Sequence, residues 1–263
     1  MSGLEIDVLM ALFAVGLVAA CFDAIAGGGG LLTLPALLLA GMSPVEALGT
    51  NKLQSTFGST SSSVAFVRRG HVDWRIGAPL ALSALIGSMA GALCAKLLPR
   101  EVLEAAVPVA LIVIGVYFLL KRGLSDADAA AKMPAFVFGF TIAPLVGFYD
   151  GVFGPGAGSF YMVGLVSLLG FGVMKATAHT KLANAGSNWG SLFVFALGGT
   201  VAWGVGLLMG LGALIGAQIG SRLAMRLGAR LIRPLLVTIC FILAAKLLSD
   251  PANPLRTFTA QLW

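Results

Sequence analysis

Five ionisable side chains, Asp23, Lys52, Asp150, His179 and Lys181, stand inside or beside apolar runs long enough to cross a bilayer. A charge at mid-membrane costs at least about 2.5–3.5 kcal/mol, so such groups pair with one another or face a watery cavity. They fall into two matched sets. Asp23 opens the stretch DAIAGGGG, which is followed by TNKLQS with Thr50, Asn51, Lys52 and Gln54. Asp150 opens DGVFGPGAGS, which is followed by HTKLAN with His179, Thr180, Lys181 and Asn184. Gly27, Gly28, Gly29 and Gly30 in one set, and Gly154, Pro155, Gly156 and Gly158 in the other, make poor helix interiors, since glycine loosens the backbone and proline lacks an amide donor. A helix break is expected at each. The amides freed around Leu31 to Leu34 and Ala157 to Tyr161, with the positive dipole end of the following half-helix, would attract an anion. Isolated glycines such as Gly87 and Gly216 are read instead as close helix packing.

Lys52 and Lys181 occupy equivalent places, each among hydroxyls and amides: Thr50, Asn51, Gln54 and Ser55, or Thr180, Asn184 and Asn188. Two ammonium groups with neutral donors suit an anion cradle. The competing reading is a structural salt bridge with Asp23 or Asp150; a bridge alone does not require the run of hydroxyls and amides. Asp23 and Asp150 could cap the backbone, neutralise a lysine or carry a coupling proton, and the sequence leaves these open. His179, in the place of Thr50, could titrate near neutral pH or be a hydrogen-bonded structural group. His71 falls in a solvated loop. Ser159 as nucleophile with His179 as base would make an intramembrane hydrolase, but nothing in the first set repeats that pair. Cys21, Cys94 and Cys240 lack CxxC or CxxH spacing, so neither a metal site nor a disulfide framework is expected, and no cofactor is implied.

The elements that must hold these groups follow from composition: 58% of the residues are apolar and 11% charged, against about 25% charged in an average soluble domain. We therefore expect an all-α, polytopic membrane protein in contact with the lipid bilayer. The acidic start, with Glu5 and Asp7, speaks against a cleaved signal. The formal charge of +6 sits mostly in short loops, where it orients a membrane protein rather than binding nucleic acid. An offset of 129 residues aligns 49–74 with 178–203, matching Lys52 with Lys181, Ser62 with Ser191 and Trp74 with Trp203. An offset of 127 pairs Asp23, Gly27 and Gly29 with Asp150, Gly154 and Gly156. The chain thus reads as a first repeat, 1–122, a linker, 123–134, and a second repeat, 135–263. Each repeat holds about five helical segments, 5–22, 31–40, 44–68, 75–97 and 102–120, then 135–149, 156–170, 173–197, 204–227 and 231–248. The segments 31–40 and 156–170 are short for a span and suit half-helices or re-entrant segments. Arg68, Arg69 and Arg75 in one loop, and Arg222, Arg226, Arg230 and Arg233 in another, place those loops in the cytoplasm, with the linker. Their repeat equivalents and both termini come out external. The repeats are then inverted, an architecture suited to alternating access.

The stretch DAIAGGGGLLTLPALLLAGMSPVEALGTNKLQSTFGS, with DGVFGPGAGSF and HTKLANAGSN, resembles the sulfite exporter TauE/SafE family over nearly the whole chain. The resemblance implies a duplicated bacterial inner-membrane permease that moves sulfite or another sulfur-containing or organic anion. By motif it points to Gly27 to Gly30, Thr50, Asn51, Lys52 and Gln54, and to Asp150, Gly154, Pro155, Gly156, Gly158, Thr180, Lys181 and Asn184. The expected partners are a small anionic substrate, lipid and a coupling proton; a homo-oligomer is compatible with the sequence. A passive anion channel is the alternative, since symmetric basic sites also suit a pore.

Overall fold

The computed structural model describes residues 5–95 and 127–228 continuously, with isolated helical positions between 112 and 120 and between 234 and 249. Every regular element among the described residues is a helix. In chain order they are α1 (Ile6–Ala26), α2 (Gly30–Leu39), α3 (Pro44–Arg68) and α4 (Trp74–Cys94), then α5 (Ala135–Val152), α6 (Ala157–Ser167), α7 (Val173–Leu197) and α8 (Trp203–Leu227). The expected segments 102–120 and 231–248 apart from those isolated positions, Cys240, residues 123–126 of the linker and both termini lie outside the described residues.

Local chemistry explains the boundaries. Ser43 caps α3 by accepting from the Glu46 amide at 3.4 Å, with Pro44 in the first turn, and Asp73 caps α4 through the Arg75 amide, both standard ways to satisfy free amides. α1 and α5 run three to four residues past the expected ends and stop only at Gly27 (φ 83°) and Phe153. Asp23 and Asp150 therefore lie in the last turn of a helix, just before its break. α1, α4, α5 and α8 are long and apolar enough to cross a membrane, and α8 turns a row of Leu211, Ile215, Ile219 and Leu223 outward. α3 and α7 are equally long but carry the polar residues, and these are buried at the centre.

The repeat is visible in who packs on whom. α1 packs chiefly on α8, and its equivalent α5 packs on α4, so each half clasps the other. Asn188 Nδ2 donates to Ser59 Oγ at 3.4 Å and Trp189 Nε1 to Thr60 Oγ1 at 3.1 Å. Both contacts join residues 129 apart, that is, equivalents touching each other, which places them at a two-fold axis relating the halves. Along that contact Gly49 lies beside Phe195 and Ser59 beside Asn188. α3 and α7 hence run antiparallel, and the halves are inverted.

Each half contains a hairpin that turns back inside the bundle. After α1 the chain reverses at Gly27 to Gly29, Gly29 lies against the Ala19 carbonyl, and Leu37 of α2 joins Leu12 of α1 in one apolar cluster. In the second half Tyr161 of α6 donates to the Ala143 carbonyl of α5 at 3.2 Å, and Gly164 faces the Phe138 ring. The short segments are thus the returning arms of re-entrant hairpins. Their tips meet: a Cβ on Gly27 would stand 3.1 Å from the Gly158 carbonyl carbon.

One end of the bundle is basic. Lys175 pairs with Asp128 at 2.6 Å, the Gly172 amide donates to the other oxygen of the same carboxylate, and these two interactions hold Asp128 below the usual carboxylate range. This docks residues 128–133 on the α6–α7 turn, next to the 70–73 loop and at the end where α3 and α8 finish. Arg68, Arg69, Arg75, Lys132, Arg222 and Arg226 belong to that end, whereas Glu5, Asp7 and Glu46 belong to the opposite one. Gly87 and Gly216, as expected, allow helices to touch: a Cβ on either would collide with a backbone carbonyl, of Pro144 or Leu17.

Candidate functional site

Where the hairpin tips meet, the helix-poor glycines leave a polar cavity of about 40 Å³. A water needs at least about 10–15 Å³ on this measure, so the cavity holds a few waters or one compact ion. Gly28, Gly29 and Gly30 form one wall, and Gly154, Gly156 and Gly158 the opposite one. α3 contributes Asn51, Lys52, Gln54, Ser55 and Ser59, α7 contributes Asn184 and Asn188, and Asp23 and Asp150 complete it. Positive φ at Gly28 (96°), Gly154 (92°) and Gly156 (85°) lets the main chain approach the polar side chains; any other residue there is strained.

Both lysines are paired, and the pairs are reciprocal across the repeats. Lys52 Nζ lies 2.7 Å from Asp150 Oδ1, and Lys181 Nζ lies 3.2 Å from Asp23 Oδ2. The operation that turns Asp23 into Asp150 and Lys52 into Lys181 exchanges one pair for the other. Each lysine stands eight residues into its helix, about 12 Å along the axis at 1.5 Å per residue. The salt bridges weighed against a free cationic cradle are therefore present.

The two pairs differ in their surroundings. Asp150 is shut in, its second oxygen accepting from the Ser187 hydroxyl and its side chain only 5% exposed. The Asp23 side chain is 24% exposed, and its Oδ1 caps the first break by accepting from the Gly29 amide at 3.1 Å. Lys181 also donates to the main-chain carbonyl of Asp23 and stands behind that residue, off the cavity wall, whereas Lys52 is on it.

The remaining expected residues divide. Asn51, Gln54 and Asn184 line the cavity. The Asn51 oxygen accepts from the Thr33 hydroxyl, and the buried Asn184 side chain has an oxygen with no protein partner. Thr50 does not face the cavity; it accepts from the Ala202 amide and ties α3 to the start of α8. Thr180 is buried with its hydroxyl unpartnered, also off the cavity wall. Gly27 forms the tip contact with Gly158. Pro155 accepts from the Tyr149 hydroxyl through its carbonyl at 2.5 Å, which fixes the second tip.

His179 lies away from the cavity. The Asp73 amide donates to Nε2 at 3.2 Å and Nδ1 faces the Lys175 carbonyl at 2.8 Å, so the network assigns the proton to Nδ1. Both nitrogens are engaged by main chain, and the ring packs on Phe171. The group clamps α7 to the start of α4 and is not placed to take a proton from Ser159.

Ser59, Ser187 and Gly58 entered the site without having been singled out. Ser59 was detectable: it aligns with Asn188 in the repeat, and the two touch. Ser187 stands at the repeat position of Gly58, so symmetry gave no cue to its hydrogen bond with Asp150. The hydroxyls of Thr56, Ser59 and Ser63 bond carbonyls one turn back in α3, which is how such groups are satisfied inside helices. Much of the hydroxyl run is therefore used within the helix.

A central cavity between inverted, broken hairpins is the arrangement expected of a secondary carrier, and comparison with known proteins points to membrane transport. The family described as sulfite exporter TauE/SafE matches residues 12–247. The chain belongs to that family. It is 52% identical over 256 residues to the "Probable membrane transporter protein ORF9" of a Sinorhizobium species, covering 97% of this chain and 98% of that one. Against the "Probable membrane transporter protein YfcA" of Escherichia coli K12 the identity is 47% over 239 residues, 91% of this chain and 89% of the relative. A "Probable membrane transporter protein" of Haemophilus influenzae is 43% identical over 245 residues, 93% and 96% of the two chains. No solved structure matches. This TauE/SafE chain is thus a multi-pass membrane transporter, and the reciprocal ion pairs and the cavity between its tips are features of its own fold.

Proposed function

We propose that the chain is a secondary transporter of a small anion, in a bacterial plasma membrane, working by alternating access around the cavity between the hairpin tips. Sulfite, or a related sulfur oxyanion or small organic anion, is the substrate class the family description favours. The observation that carries this reading is the cavity itself: a space for a few waters or one compact ion at the two-fold contact, walled by glycine backbone, with the buried amide oxygen of Asn184 left without a protein partner. That oxygen only accepts, so it calls for water or a proton carried by the ligand, while the donors an anion needs are the Lys52 ammonium and the Asn51, Gln54 and Asn188 amide groups on the same wall.

Two observations favour a carrier over the alternatives. The cavity is small and flanked by two formed ion pairs, one of them sealed, which suits a carrier better than a continuous pore. Both ring nitrogens of His179 are taken up by main chain, which leaves Ser159 without the base a hydrolase would require.

Proteoliposomes test the reading. Purified protein, preloaded in turn with sulfite, sulfate, thiosulfate, sulfoacetate and small carboxylates, should show counterflow of the labelled anion for at least one of them with no pH gradient. Absence of counterflow for every anion refutes it.

A further inference from the structure

We propose that Asp23 is the coupling carboxylate of this site, taking up one proton for each monovalent anion the cavity accepts. The proposal rests on the anion-transport reading and goes beyond it by assigning the driving ion and its carrier.

The charge count of the site leads there. Lys52 with Asp150, and Lys181 with Asp23, sum to zero, so an anion entering the cavity meets no net positive charge. Burying an uncompensated charge in such a place is costly. Compensation must arrive with the anion, and a proton on one of the two carboxylates supplies it. In that step a proton from water on the loading side bonds to a carboxylate oxygen, its lysine partner keeps its own proton and charge, and the anion offsets that charge from the cavity. On unloading the proton returns to water, and the ion pair reforms.

Geometry selects Asp23. Its side chain is 24% exposed and lines the cavity, while that of Asp150 is 5% exposed and has both oxygens engaged, by Lys52 and by the Ser187 hydroxyl. A neutral Asp23 loses no backbone contact, because its Oδ1 still accepts from the Gly29 amide. Lys181 likewise keeps a partner, since it also donates to the Asp23 main-chain carbonyl. Protonating Asp150 would instead leave the buried Lys52 ammonium without its recorded side-chain partner.

Among the described residues, the charged and titratable groups facing Asp23 are few. α7 brings Lys181, α3 brings Lys52, and α5 brings Asp150 from across the cavity. The α2 segment has no titratable residue. Tyr161 of α6 turns its hydroxyl to Ala143, and α8 brings only the exposed Arg222 and Arg226, near its end.

The test uses the same proteoliposomes and whichever panel anion shows counterflow. With membrane potential clamped, one proton per monoanion makes accumulation follow the proton gradient, about tenfold per pH unit. Asp23→Asn should lower the accumulation ratio to about one, with counterflow persisting at a reduced rate, while Asp23→Glu should restore gradient-driven accumulation. Should Asp23→Asn fail to insert, the wild type still decides: electroneutral coupling gives no transport current on a supported membrane when a monoanion is added. Accumulation that ignores the pH gradient in wild type, or a current carrying the anion's charge, overturns the coupling and leaves anion transport standing. Undiminished gradient-driven accumulation in Asp23→Asn overturns the assignment to Asp23. Absence of counterflow in wild type refutes the transport reading, and the coupling falls with it.

Discussion

Although the repeat makes Lys52 and Lys181 equivalent, Lys52→Ala is expected to cost the protein more stability than Lys181→Ala. Lys52 Nζ sits 2.7 Å from Asp150, with side chains 1% and 5% exposed. Removing it leaves a buried carboxylate with the Ser187 hydroxyl as its one recorded partner, and breaking a buried pair in this way costs about 3–5 kcal/mol. Lys181 sits at 3.2 Å from a carboxylate that is 24% exposed and holds the Gly29 amide as well. Its loss resembles the removal of a single partner from a partly solvated group, about 1–3 kcal/mol. The difference, about 2 kcal/mol, corresponds to about 4–8 °C in Tm at the 2–4 °C per kcal/mol found for chains near this size. Thermal unfolding in detergent at neutral pH, followed by tryptophan fluorescence, reads it. Adding Asp150→Asn to Lys52→Ala should recover part of the loss, because the stranded charge goes too. Equal losses for the two lysines, or no recovery in the double variant, would refute the unequal burial of the two pairs.

Sidedness and tip packing give two further expectations. Gly70 and Gly199 each lie in a turn with positive φ and open space around the Cβ position, at opposite ends of the bundle; cysteines placed there should label with an impermeant maleimide from opposite sides, Gly199→Cys from outside. Labelling of both from one side would contradict the inverted arrangement. Gly158→Ala would put a Cβ 2.9 Å from Asn184 Nδ2 and 3.1 Å from Gly27 Cα, so it should cost about 1–3 kcal/mol and impair transport. Gly139→Ala, with nothing within 4 Å of the new methyl, should be neutral or stabilising by up to about 1 kcal/mol. Similar Tm changes in the two would sink the tip contact as a constraint.

The helices and the duplication were legible in the sequence because both rest on local pattern: apolar runs of membrane length, and matched residues at a fixed offset. All eight described helices begin within one residue of the expected position. The direction of the repeat was legible too, since arginine placement follows membrane orientation, and the antiparallel crossing of α3 and α7 agrees with it. What could not be read was which residue meets which. Lys52 and Asp150 are 98 residues apart, and only the clasp of α1 on α8 and of α4 on α5 brings each lysine to the other half's aspartate. Of the two readings open for His179 its contacts match the hydrogen-bonded structural group: its neighbour Lys181 lies two positions on, and residues that close in sequence face different sides of a helix. Thr50 and Thr180 share that limit, flanking the lysines in sequence without reaching the cavity.

A two-fold operation that swaps the ion pairs would make them identical in a symmetric molecule, and here they are not. One pair is short and sealed; the other is longer and open to the cavity. Inverted-repeat carriers reach their second conformation when each half adopts the shape of the other. On the proposed cycle, that second state has Lys52 and Asp150 longer and open to the cavity, and Lys181 and Asp23 sealed, a geometry the latter pair reaches once the Asp23 proton has returned to water. The exchange trades one buried pair for another of the same chemistry, so the large desolvation terms nearly cancel between the states. A ligand can then shift the balance with only a small preference for one of them, because the shift is bounded by its differential affinity. Strong buried charges and easy interconversion are compatible in this fold because the repeat supplies every tight contact twice.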